Sequence, residues 1–207
     1  MRVGRRTVLR GGIAAAVAAA AAMRALQPAL AQAQTPAQFI AALGNQAFAV
    51  IEGNYSIEQK LAYFRLLLRQ DFDIAGSAPF VLGPYWRVAS EAERAQFVAL
   101  LVDYIVITFG RRLAEYGGQS LRVTGGRKTE YETLVTSELA RSGGQPVRVD
   151  WVLVERGGVY RVADVVVDGV SMRVNLRSEI GAMLQRSGGV VGALLMAMRQ
   201  VIAQSGL

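Results

Sequence analysis

The sequence contains no cysteine and no histidine. The first absence excludes disulfides, thiol nucleophiles and thiolate metal sites. The second excludes imidazole acid–base chemistry, leaves a serine triad without its base and removes most routes to a zinc or iron site. Lack of cysteine is compatible with an oxidising compartment but does not specify one. Acidic residues are missing from the first 31 positions, which hold Arg2, Arg5, Arg6, Arg10 and Arg24. Those five arginines supply most of the formal charge of +7, and the rest of the chain carries 18 basic against 16 acidic residues. No dense basic face results, so a nucleic-acid footprint is not expected. The short pairs Arg111-Arg112 and Arg127-Lys128 read as solvated surface. No apolar run approaches the roughly 20 residues that span a bilayer. What is present is a globular composition, 52% apolar and 19% charged over 207 residues, with ample length for a core.

Residues 1–31 read as a cleavable signal peptide. Met1–Arg10 is the basic region, Gly11–Met23 the alanine-rich apolar region, and Ala29-Leu30-Ala31 the small-residue cleavage site, with Ala31-Gln32-Ala33 as a second option. Arg5-Arg6 followed by Thr7-Val8-Leu9-Arg10 has the look of a twin-arginine export signal. The expected organisation is therefore a signal over 1–31 and one domain over 32–207.

The domain divides by period. Thr35-Pro36 starts a first helix, followed at helical spacing by Phe39, Ile40, Leu43, Ala47, Val50 and Ile51, and closed by Gly53-Asn54. Ser56 with Gln59, and Ser90 with Glu93, form capping boxes that open two more helices. Between them a shorter helix is expected over Phe72–Leu82, broken by Gly83-Pro84. The helix from Ser90 is expected to reach Tyr116 before Gly117-Gly118, with a wide apolar stripe directed at a sheet. The period then becomes two. Strands are expected over Leu121–Thr124, Glu130–Ala140, Val147–Glu155 and Val159–Met172, with turns at Gly125-Gly126, Gly143-Gly144 and Gly157-Gly158. Two helices, Leu176–Arg186 and Val190–Ile202, close the chain around Gly188-Gly189. Helices, a meander and helices again predict an α+β fold, with helices packed on an antiparallel sheet of about four strands.

Enzyme motifs are wanting. Gly125-Gly126-Arg127-Lys128 lacks the spacing of a phosphate-binding loop, and no G-x-S-x-G elbow occurs. The carboxylates Asp71 and Asp73, and the pair Asp164 and Asp168, could in principle perform acid–base work. A turn at Asp168-Gly169, and an arginine or backbone amide beside Asp164, explain the second pair more simply.

One resemblance emerges from the motifs in order. They are Asp71-Phe72-Asp73-Ile74, Val81-Leu82-Gly83-Pro84-Tyr85-Trp86, and Ala89-Ser90-Glu91-Ala92-Glu93-Arg94 with Phe97. Then come Val149-Asp150-Trp151, Tyr160-Arg161-Val162-Ala163-Asp164-Val165, Asp168-Gly169-Val170-Ser171-Met172, Arg177-Ser178-Glu179 and Gly188-Gly189. Together they resemble the MlaC family of periplasmic phospholipid-binding proteins, also called toluene-tolerance proteins. The resemblance implies a twisted sheet like that of the nuclear-transport-factor-two superfamily, with helices closing a deep apolar cavity. It further implies a monomeric periplasmic carrier that is not an enzyme. Such a carrier needs no cofactor beyond its phospholipid cargo, and it shuttles lipid between an inner-membrane ABC transporter complex and an outer-membrane lipoprotein complex to maintain outer-membrane lipid asymmetry.

A diacyl lipid has on the order of 30 methylenes, and leaving them in water costs about 25 kcal/mol at ~0.8 each. Apolar side chains are the natural replacement for that water. The expected lining from the helices is Leu82, Tyr85, Trp86, Phe97, Leu101, Tyr104, Ile105 and Phe109. From the sheet it is Val135, Val149, Trp151, Val165 and Val167, and from the closing helices Met172, Ile180, Leu184 and Leu194. The headgroup belongs at the mouth, because a phosphate buried without partners is prohibitive. Two alternatives stay open: an enzyme on the same scaffold acting on a small apolar substrate, and a periplasmic adaptor that holds no lipid.

Overall fold

The computed structural model describes residues 34–110, 120–140 and 144–206. The expected signal peptide, the far end of the Ser90 helix with Gly117-Gly118, and Gly143 lie outside them. Gln34–Leu207 forms one compact unit. Among the described residues there are seven α-helices and five strands, the helices being α1 Pro36–Glu52, α2 Ile57–Asp71, α3 Ile74–Leu82, α4 Tyr85–Val88, α5 Glu91–Ile105, α6 Met172–Arg186 and α7 Val191–Gln204. The strands are β1 Leu121–Lys128, β2 Thr133–Leu139, β3 Val147–Arg156, β4 Val159–Val167 and β5 Val170–Ser171, paired antiparallel in the order β1-β2-β3-β4-β5. None of these helices is alone long and apolar enough to cross a membrane.

Local chemistry sets the helix starts. Thr35, Ser56 and Ser90 each close a capping box, with Gln38, Gln59 and Glu93 reaching back to the cap amide. The third helix begins two residues later than expected, because the Asp73 carboxylate accepts from the Gly76 amide and caps α3. The Ser90 helix holds regular α geometry only to Ile105, and Val106–Gly110 continues as a π turn. α6 starts earlier than expected, at Met172, where the Ser171 hydroxyl accepts from the Val174 amide.

The sheet departs from the expected pattern at two places. Gly125-Gly126 is not a turn: it lies inside β1, opposite Thr136 and Val135, after a register shift at Thr124. A Cβ on Gly126 would stand 2.8 Å from the Leu134 carbonyl oxygen, so glycine serves close strand approach there. The reversal falls instead at Thr129–Glu132, where the Thr129 amide donates to the Glu132 carbonyl at 2.8 Å. At the other end, Asp168-Gly169 turns the chain so that Val170–Ser171 pairs back on β4, giving the fifth strand. Gly157-Gly158 makes the expected two-residue turn, both residues at positive φ of 58° and 79°, which suits the twist of a hairpin.

The interior falls into two clusters. The larger packs helix on helix, from Leu61, Leu68, Val81, Leu82, Phe97, Leu101, Ile105, Ile180, Leu184, Leu194 and Met198, among others. The smaller packs α1 on the sheet: Phe39, Ile40 and Leu43, joined by Leu67, meet Val135, Leu153 and Val162. Phe72 touches both. The α5 stripe therefore does not find the strand face as expected. Its main neighbours are α2, α3 and α7, and α1 takes the place over the sheet. The stripe is wide because several helices converge on it. The helical layer is tied to β4 by polar bonds: the Asp73 amide donates to the Val162 carbonyl at 2.8 Å, the Ser77 hydroxyl to Ala163 at 3.1 Å, and Arg161 to Gln70 at 2.5 Å.

Candidate functional site

The acidic candidates are absorbed by structure. Asp164 is buried, and one oxygen accepts from the Val165 and Arg173 amides at 2.8 and 3.0 Å. Its other oxygen accepts from the Ser171 hydroxyl at 2.5 Å. Those bonds fasten the start of α6 to β4. Asp168 sits in the turn with φ 47° and accepts from the Arg148 amide at 3.1 Å, so the two carboxylates do not share a site. Asp73 caps α3 and pairs with Arg156 at 3.1 Å. Burial raises the Asp71 carboxyl above its usual range against the lowering field of Arg161. Among the described residues, no cluster of metal-binding side chains occurs.

The expected lining residues separate into three groups. Leu82, Phe97, Leu101, Tyr104, Ile105, Ile180, Leu184 and Leu194 are buried in the helical cluster, with Tyr85, Trp86 and Phe109 packed at its margin. Within it, the Tyr104 hydroxyl donates to Glu179 Oε2 at 3.1 Å; burial first, and the Glu179 carboxylate second, push that phenol upward. Val135, Trp151 and Val165 join the α1–sheet cluster, opposite one another on adjacent strands. Val149 is buried, and Val167 and Met172 are half-buried, outside both clusters. The Trp151 indole is fixed by donation to the Ser137 hydroxyl at 2.9 Å, which itself donates to the Val149 carbonyl at 3.1 Å. Ser137 is wholly buried and reads in the sequence only as one polar residue on an alternating strand.

Two clefts flank these clusters. One, of about 410 Å³, lies between the start of α1 and the β1–β2 hairpin, and Val135 forms part of its wall. The other, of about 290 Å³, lies where α2, α3 and α5 meet, with Leu68, Phe72, Val98 and Val102 on its walls. A deep enclosed cavity is not shown. The first cleft backs directly onto the α1–sheet cluster. Sequence reasoning missed the α1 side of that cluster, because Phe39, Ile40 and Leu43 read simply as a helix stripe.

α1 thus lies on an antiparallel meander, with one cleft beside that interface and another among α2, α3 and α5. A family model described as MlaC protein matches residues 42–200. The chain belongs to the MlaC family, a family of carriers and not of enzymes. Its fold is similar to that of a phospholipid-binding protein from Ralstonia solanacearum, solved in complex with a phospholipid, at a TM-score of 0.71. That likeness covers 86% of this chain and 100% of the other at 18% identity, which speaks to the fold.

Proposed function

We propose that this protein is a periplasmic phospholipid carrier, exported by its N-terminal signal, that moves lipid between inner- and outer-membrane complexes. The observation that carries the reading is the α1–sheet interface within a chain of this family. Thirty methylenes, each about the size of a water molecule's ~30 Å³ share of liquid, need on the order of 900 Å³. The cleft beside α1 is open to solvent along one side, so as it stands it does not enclose two acyl chains. Carriage on this face has α1 part from the sheet. Its hold is apolar: Phe39, Ile40 and Leu43 contribute about 1.5–3 kcal/mol each, roughly 5–9 together. Among the described residues α1 makes no hydrogen bond to the sheet, and Gln46 and Ile51 bond instead to Tyr63 and Lys60 of α2. Tails that leave a membrane must find equal shelter, about 25 kcal/mol against water, so the face uncovered by α1 has to replace the bilayer's apolar contact. Val135, Trp151 and Val165 are the members of the expected lining that would then face the tails.

Native mass spectrometry of the protein incubated with phospholipid vesicles tests this. The expected result is one added mass equal to a diacyl phospholipid, released on denaturation. Protein that stays without lipid, or that carries a small metabolite instead, overturns it. The packed state of both clusters favours one second reading, an adaptor that docks proteins and holds no lipid. An empty spectrum would support that alternative.

A further inference from the structure

The closing helix has an outer side that packing does not account for. Val191, Leu194, Leu195 and Met198 turn inward to the helical cluster. The opposite stripe of α7, at helical spacing, is Ala193, Met196, Gln200 and Ala203, the last three exposed. A helix packed on one side ordinarily carries charge on the other, and this stripe carries none. Met196 is 63% exposed, and Val190, the residue that caps the helix, is 58% exposed. Residues 180–207 contain no acidic side chain and two arginines, Arg186 and Arg199. Arg186 closes α6, is exposed and forms no salt bridge among the described residues. Arg199 flanks the stripe and donates to the Gln96 side chain, a neutral partner. From α5, Glu93 stands beside Gly192, but its carboxylate is taken by the Ser90 amide and hydroxyl at 2.9 and 2.8 Å. Together α6 and α7 are apolar enough to pass for a broken membrane segment, yet they bend by 112° and their inner sides are buried. Only the outer side is left to meet a bilayer.

We propose that the outer side of α7, with the corner at Val190, docks on an anionic bilayer and lies along its headgroup layer without crossing it. Uncharged side chains enter the boundary between headgroups and acyl chains without the cost of desolvating a charge. The flanking arginines meet lipid phosphates, which supply the countercharge that this end of the chain lacks. A second copy of the chain fits less well, because two such faces would gather arginines with no carboxylate to pair them. The inference goes beyond the carrier reading and does not depend on lipid entering the α1–sheet interface.

The test sediments the mature chain with vesicles of phosphatidylcholine alone and with vesicles that also contain phosphatidylglycerol. Wild type should pellet with the anionic vesicles and bind the neutral ones roughly thirtyfold more weakly, the effect of two arginines near a charged surface. Val190→Ser combined with Met196→Gln should bind anionic vesicles about tenfold less. Its unfolding midpoint should be no lower than that of wild type, because both positions are exposed and serine caps a helix better than valine. Arg186→Gln combined with Arg199→Gln should bind the two vesicles alike. Wild type that stays in the supernatant, or a Val190→Ser/Met196→Gln protein that pellets like wild type, overturns the docking surface. A wild-type dimer that this variant breaks, with no vesicle binding, overturns it in favour of contact between copies. Phospholipid found with protein in the supernatant, and no protein in the pellet, overturns docking alone and leaves carriage standing. Protein that pellets yet takes no lipid into the supernatant upholds docking and counts against carriage.

Discussion

Locking α1 to the sheet should abolish lipid uptake. Gly44 is buried on α1, and a Cβ placed there would stand 3.3 Å from Leu121 Cβ on β1. Disulfide-linked residues have Cβ atoms about 3.5–4.5 Å apart, so Gly44→Cys with Leu121→Cys needs a shift of only a few tenths of an ångström. Replacing Leu121 also removes the Cδ2 atom that would crowd position 44 at 2.7 Å. The natural chain has no cysteine, so the only bridge formed is the engineered one. With α1 held down, the cleft beside it stays open to solvent, and chains lying in it keep part of their contact with water. Each methylene left wet costs about 0.8 kcal/mol, so about ten of them cost roughly 8 kcal/mol. Oxidised protein should therefore take no phospholipid from vesicles, while the same sample reduced with dithiothreitol should bind like wild type. Equal lipid uptake before and after reduction would refute the parting of α1, and would direct attention to the cleft among α2, α3 and α5.

Other outcomes follow from single contacts. Ser137→Ala leaves the half-buried Trp151 N–H without its acceptor and should cost roughly 0.5–1.5 kcal/mol in urea unfolding, with a change in tryptophan emission. Ser90→Ala removes the cap of α5 and its partner for Glu93; about 1 kcal/mol of stability should be lost, read from the unfolding midpoint. Burial pushes the Asp150 carboxyl up, but hydrogen bonds from Thr136 and Arg148 and the nearby arginine charges outweigh it, so it titrates below the usual range. Its contribution is present above the unfolded value of about 3.9 and is lost as pH falls through the lower folded value. Wild type should thus lose more stability than Asp150→Asn between neutral and strongly acidic pH, and parallel curves would count against the interaction.

Much of the fold is legible in the sequence because it is local. Ser56 and Ser90 announce their helices by a hydroxyl and a glutamine or glutamate three residues on, and Gly157-Gly158 announces its hairpin by permitting positive φ twice. What eluded the sequence is decided at long range. Gly125-Gly126 reads as a turn, but pairing with Thr136 and Val135 makes it strand, and no dipeptide encodes its partner. The α5 stripe declares that Phe97, Leu101 and Ile105 are buried without declaring against what. The MlaC motifs placed the chain in its family, yet they did not show that α1 and not α5 covers the sheet, because contacts between distant elements leave no mark in linear order.

The separation of the interior into two clusters, bridged at Phe72, has a consequence for endurance. A vessel with one continuous filling would have to loosen its whole architecture each time it loaded. On the carrier reading, α1 can lift from the sheet while the helical cluster keeps the chain in register. Amide exchange should show this as two tiers, with α5, α6 and α7 slow throughout and α1 slowing only when cargo is aboard.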